Sequence, residues 1–161
     1  MTMAEYNFPE KIKVPRFEEA AGFYTTPERS ELMAKIRSEN TRPEIMLRKA
    51  LWAVGLRFRV HRRNLPGKPD ISNQRLKLAI FVDGEFWHGY QWEEKKHKLR
   101  SNRDFWIPKI ERNIQRDQEV NGQLRRLGFT VFRFWEREVK KELGACVKQV
   151  LDYVEATVRF R

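Results

Sequence analysis

Cysteine is almost absent: Cys146 stands alone among 161 residues. A disulfide within the chain is therefore excluded, and so is a zinc site built on several thiolates. No apolar run approaches the ~20 residues that a membrane span requires. Met1–Pro15 carries acids and prolines where a signal peptide would carry an apolar stretch. The expectation is a cytoplasmic protein. Internal repeats and low-complexity tracts are also missing. The length suits one domain with a short extra arm, large enough to bury a core without disulfides or metal.

Acids are the scarcer charge. There are 22 Asp and Glu against 33 Lys and Arg, a net of +11. Residues 1–30 hold four bases and five acids, so the rest of the chain carries all the excess, 29 bases against 17 acids. Such an excess points to a polyanion, with nucleic acid ahead of an anionic membrane surface. A solvated helical surface would account for part of it. Five Trp and eleven Phe add aromatic surface that can stack on or wedge between bases, although most of it belongs in a core.

Residues 1–27 read as an arm, broken by Pro9, Pro15 and Pro27, which either packs on the body or wraps a ligand. The body is expected over 28–161. A short helix follows from about Glu28 to Ile36. A second helix starts with Asn40 or Thr41 as cap, Pro43 in the first turn and Glu44 where the dipole favours an acid, and it stops at Gly55. Leu56–His61 alternates as a half-buried strand. Asp70–Ile71 opens a short strand, and the run LKLAIFVD (76–83) is a buried one. Residues 85–101 read as a long functional loop. Asp104–Leu127 is a helix, Phe129–Trp135 a strand, and Arg137 to about Val158 a last amphipathic helix. The order α-β-β-β-α-β-α predicts an α/β fold, a mixed sheet flanked by helices.

Some polar residues sit where apolar ones belong. On the wheel of the 104–127 helix, Trp106, Ile110, Ile114, Val120, Leu124 and Leu127 share a stripe, and Asn113 and Asp117 fall near its middle. A carboxylate there is costly unless paired, so Asp117 is either a structural partner of a backbone group or an Arg, or it is aimed into a site. Glu44 lies at the edge of the stripe of its own helix, where an ordinary dipole-favoured acid is the alternative. Asp70 begins a strand and Asp83 ends one; in antiparallel neighbours they share one end of the sheet, an arrangement suited to Mg²⁺. His88 follows in the aromatic loop. Beside a buried Asp, its ring can be oriented to take a proton from water.

The blocks T-P-E-R-S (26–30), M-A-K-I-R-S-E-N-T-R-P-E (33–44), L-P-G-K-P-D (65–70), F-V-D-G-E-F-W-H (81–88) and F-W-I-P-K-I-E-R-N-I-Q-R-D (105–117) occur in this order. Together they resemble the very-short-patch-repair (Vsr) DNA mismatch endonucleases of the PD-(D/E)XK superfamily. The resemblance implies a restriction-endonuclease-like fold and Mg²⁺-dependent nicking of one strand, 5′ to the T of a T:G mispair. It places Asp70 on the metal-binding aspartate, Val82 on the residue that gives a backbone carbonyl to the metal, and Glu44 on the glutamate that holds the metal through water. His88 falls on the general base and Asp117 on the carboxylate that orients it, with Asn113 on a neighbouring polar position that is a candidate DNA contact. Phe86, Trp87 and Trp106 fall on the wedge that enters the duplex, with Met33 a contributor from the other groove.

The sequence also departs from the family. Asp83 stands where those nickases carry His, and as a carboxylate it is expected to bind the metal directly. The family's zinc positions hold Glu85, Tyr90, Trp92 and Arg137, so no structural zinc is expected and aromatic packing must hold the loop. Lys95, Lys96, Lys98, Arg100, Arg103, Arg112 and Arg116 are the candidate phosphate contacts. The partner implied is double-stranded, mismatched DNA in a nucleoid setting, and nicking one strand suits a monomer. The alternatives are a restriction-associated nuclease of the same fold without mismatch preference, a DNA-binding protein that has lost cleavage, and a basic RNA-binding module.

Overall fold

The computed structural model describes residues 6–159; the first five residues of the expected arm, and residues 160–161, lie outside the described residues. Helix α1 spans Pro27–Ala34 and α2 Arg42–Ala53. Strands β1 (Arg59–Val60), β2 (Ile71–Asn73) and β3 (Leu78–Asp83) follow, then a short α3 (Trp92–Lys95) that runs into a 3₁₀ turn. Next come α4 (Arg103–Arg126), β4 (Thr130–Trp135), α5 (Glu136–Lys141) and α6 (Leu143–Arg159). The strands line up β1-β2-β3-β4. β1 and β3 flank β2 antiparallel, while β4 joins β3 in parallel after the α4 crossover. This is the mixed, helix-flanked sheet of a restriction-endonuclease-like α/β fold. No helix among the described residues is long and apolar enough to cross a membrane.

Local chemistry sets the boundaries. The Thr41 hydroxyl caps α2 by accepting from the Glu44 N–H, and Pro43 fits the first turn, where no N–H is needed. β3 is buried along its whole length and alternates between two layers. Leu78, Ile80 and Val82 meet Leu47, Leu51, Phe134, Val139 and Val150 beneath α2, α5 and α6. Ala79 and Phe81 meet Val120, Leu124 and Phe129 beneath α4. Fully burying one such large aliphatic or aromatic side chain is worth about 1.5–3 kcal/mol, so these two layers hold the sheet between its helices.

Three expectations change. The half-buried strand expected over Leu56–His61 shortens to Arg59–Val60, both exposed. The loop over 85–101 contains α3, whose Trp92 is buried against Ile110 and Ile114. The single last helix breaks in two at Glu142, whose φ of −132° and ψ of 41° leave the helical region. The turn brings Val139 of α5 and Cys146, Val147 and Val150 of α6 into one layer under the sheet, which a straight helix would have to spread along its axis.

The described part of the arm packs on the body. Buried Gln115 of α4 accepts from the Ile12 N–H and donates to the Glu10 carbonyl. Tyr6 and Phe8 join the Trp92 cluster, and Phe17 and Phe23 meet the Phe105 ring at 4.9 and 5.5 Å. Asn102 closes the arm by bonding both backbone groups of Tyr24.

Candidate active site at the end of the sheet

A cleft of about 490 Å³ opens at the C-terminal end of β3. Its lining includes Glu44, His61 and Asp70, the end of β3 with Val82, Asp83 and Gly84, and Trp87 and His88 from the turn that follows. Met33 and the α1–α2 connection form the rim, and Arg116 reaches it from α4.

Asp70 owes its place to the end of the β2–β3 ladder. Ile71 is paired with Ile80, so Val82 lies beyond the last paired residue of β2. The Val82 N–H donates instead to the Asp70 carboxylate at 2.7 Å. Asp70 is thus held just outside the strand that was expected to contain it. Glu44 is buried at the third position of α2, where the Asn40 N–H and Arg48 donate to one oxygen and the Thr41 hydroxyl to the other. His61 Nε2 lies 3.2 Å from the Glu44 carboxylate and 3.7 Å from that of Asp70.

Glu44, His61 and Asp70 each offer a ligand atom within 4.8 Å of the others, a spacing that fits a divalent cation. The charge balance agrees. Burial, followed by repulsion from Glu44 and Asp83, pushes the Asp70 carboxyl up to about 7 despite the Val82 hydrogen bond. A half-buried carboxylate raised in this way is short of positive charge, which a cation would supply. The two carboxylates offer the oxygens that Mg²⁺ takes, with water and phosphate for the remaining positions. His61 was missed from the sequence, where it reads as the polar end of a strand. Its Nε2 also lies 2.9 Å from Arg48, so it is a ligand only if that arginine yields.

The turn after β3 folds back through a hydrogen bond from the His88 N–H to the Gly84 carbonyl. It brings His88 Nδ1 to 2.6 Å from Asp117 Oδ2. Burial alone would lower the pKa of the ring; Asp83 and Asp117 outweigh it and hold it above the ordinary value. With Nδ1 bonded to Asp117, Nε2 is the nitrogen left to take a proton.

Asp83 departs from the expectation of a direct ligand. It lies on the α4 side of β3, and both its oxygens accept from Arg133, at 3.0 and 2.8 Å. It is buried at 3 % exposure, outside the Glu44–His61–Asp70 group. Asn113 departs as well. It is 8 % exposed, and its amide donates to the Trp87 carbonyl at 2.9 Å, so it holds the loop.

Phe86, Trp87 and Trp106 form one edge-to-face cluster with ring centres 5.2–5.8 Å apart. Phe86 is exposed at 43 %. Among the expected basic contacts, Lys98, Arg100, Arg103 and Arg116 are exposed. Arg112 bonds Gln115 and Glu119, Arg103 bonds the His97 and Leu99 carbonyls, Lys96 pairs with Glu93, and Lys95 lies over the Tyr90 ring. Of the four zinc-equivalent positions, Glu85 accepts from the Arg137 N–H, Arg137 donates to the Tyr90 hydroxyl, and Trp92 donates to Glu111. Hydrogen bonds as well as rings therefore tie this loop down.

The comparisons with known proteins bear on this geometry. The family model described as DNA mismatch endonuclease Vsr matches residues 21–94. Type II nicking enzyme V.NmeDIP of Neisseria meningitidis serogroup C is 50 % identical over 126 residues, covering 78 % of this chain and 85 % of the relative. Type II nicking enzyme V.HpaIIP of Haemophilus parainfluenzae is 50 % identical over 118 residues, covering 72 % and 84 %. DNA mismatch endonuclease Vsr of Escherichia coli (strain K12) is 36 % identical over 109 residues, covering 67 % and 69 %. A basic chain with these relatives and this cleft is a DNA endonuclease. It belongs to the Vsr family.

Proposed function

We propose that this endonuclease nicks one strand of duplex DNA by Mg²⁺-dependent hydrolysis, 5′ to the T of a T:G mispair. The observation that carries this reading is the His88–Asp117 pair, whose His88 lines the same cleft as Glu44 and Asp70. His88 takes a proton from the attacking water at Nε2, and Asp117 stabilises the imidazolium that forms. Asp70 and Glu44 hold the cation, with the Val82 carbonyl as a further oxygen. The cation, when bound, supplies positive charge against the negative charge developing on the scissile phosphate.

Lys98, Arg100 and Arg116 neutralise backbone phosphates. Phe86, Trp87 and Trp106 press on a base step, with Met33 on the opposite rim. Unstacking costs a few kcal/mol per step and less at a mispair, which gives a physical source of selectivity. The nicking enzymes among the relatives favour a second reading, a restriction-associated nickase without mismatch preference.

Nicking of end-labelled duplexes carrying each mispair, with Mg²⁺ and with EDTA, separates the two. Faster nicking at T:G than at paired sites supports the first reading. Equal rates favour the second, and cleavage in EDTA removes the cation from either.

A further inference from the structure

Arg133 is a charged residue at the middle of a strand that packs on both faces. Phe132 and Phe134 turn to one layer, and Val131 and Arg133 turn to the layer beneath α4. Register places Arg133 beside Phe81, and its guanidinium lies 4.1 Å from the centre of that ring. Its side chain is only 7 % exposed. It donates to both Asp83 oxygens and to Asn121 Oδ1, and it lies 3.5 Å from Asp117 Oδ1.

One buried cation therefore sits between two buried carboxylates. Both carboxylates also face His88, with Asp117 at 2.6 Å and Asp83 at 3.6 Å from Nδ1. If Asp83 were free, it would compete for the same ring N–H.

We propose that Arg133 is a positioning residue, which occupies Asp83 so that Asp117 alone orients His88. The inference rests on His88 acting as the base. Asp83 and Arg133 then work as a unit: losing either leaves a buried charge unpaired, whereas losing both for apolar side chains removes the competition.

The test is a double-mutant cycle with R133L, D83L and D83L/R133L. Single-turnover nicking, duplex affinity and the ¹⁵N signals of the His88 ring are measured in each variant. R133L is expected to slow nicking about a hundredfold, with duplex affinity within about threefold of the parent and the Nδ1–H tautomer lost. The double variant is expected to nick about tenfold faster than R133L. An R133L protein with the parental rate or an unchanged tautomer overturns the proposal, as does a double variant no faster than R133L. If R133L does not fold, D83L takes its place in the comparison: the double variant must nick faster than D83L, and equal rates defeat the idea. H88A separates this inference from the one beneath it. Nicking by H88A defeats the base assignment itself. An inactive H88A beside an unaffected R133L defeats only the role of Arg133.

Discussion

His88 Nδ1 lies 2.6 Å from Asp117 Oδ2, joining the turn after β3 to the middle of α4. Asp83 and Asp117 hold the ring above its ordinary pKa against the pull of burial. Such a shift stabilises the fold fully below the pKa of the unfolded ring, and that contribution is lost as pH rises through the raised value. Nicking follows the opposite course, because a base must be neutral to accept a proton. The rate should rise with pH through the raised value. D117N should move that limb to lower pH and cut the plateau by ~10²–10⁴. A single-turnover pH profile checks this, and a limb that D117N leaves in place counts against the pairing.

Asp70 gives a second pH effect. Its carboxyl is raised from 3.8 to about 7, so the cation-free protein loses stability as pH climbs through that interval. D70N keeps an acceptor for the Val82 N–H and removes the charge. It should stabilise the cation-free protein above pH ~7 by an amount on the order of a few kcal/mol. It should also abolish nicking while sparing duplex binding. Thermal melts in EDTA at pH 5 and 8 measure the first effect, and a parent and variant that melt alike at pH 8 exclude it.

Gly89 follows His88 with a φ of +71°, and a Cβ there would lie 2.5 Å from Ile114 Cδ1. Ile114 is buried and cannot swing clear. G89A should cost about 1–3 kcal/mol through strain and overpacking. It should slow nicking as well, since the displaced turn carries His88. Urea unfolding gives the stability change, and a value near zero would show that the turn yields.

Phe86 is exposed and meets Trp87 and Trp106 edge to face, so F86A should fold normally. It should weaken binding to a T:G duplex by roughly 1–3 kcal/mol and binding to a paired duplex less. Fluorescence anisotropy on the two duplexes measures the difference. Equal losses on both would remove Phe86 from mismatch selection.

Arg116 stands exposed at the cleft. R116A should reduce the log–log salt slope of duplex binding by about 0.9, the value of one phosphate contact. Titrations at several salt concentrations read it directly, and an unchanged slope would place Arg116 off the backbone.

What the sequence revealed followed from periodicity. Asp117 stood out because a 24-residue helix has a well-defined apolar stripe to be misplaced on. Asp70 and Asp83 were visible as strand ends, and the meander put them at one end of the sheet. The partner of Asp83 was not visible. It comes from β4, and only the parallel register shows that Arg133 reaches it. In the sequence F-R-F alternates as a half-buried strand does, which sends Arg133 to solvent; only the packing of α4 on that face makes it a buried partner. His61 was harder to find, because β1 shrank to two residues and its alternation carried no information about the cleft. The break at Glu142 was hidden by apolar spacing that runs through both helices.

The parallel pairing of β3 with β4 has a consequence in time. The two strands are joined through α4, and long-range parallel pairing of this kind forms slowly compared with local contacts. Until then Arg133 and Asp83, 50 residues apart, cannot meet. The positive charge that grips DNA belongs to the chain from the start, whereas the geometry that cuts it arrives only with the closed sheet.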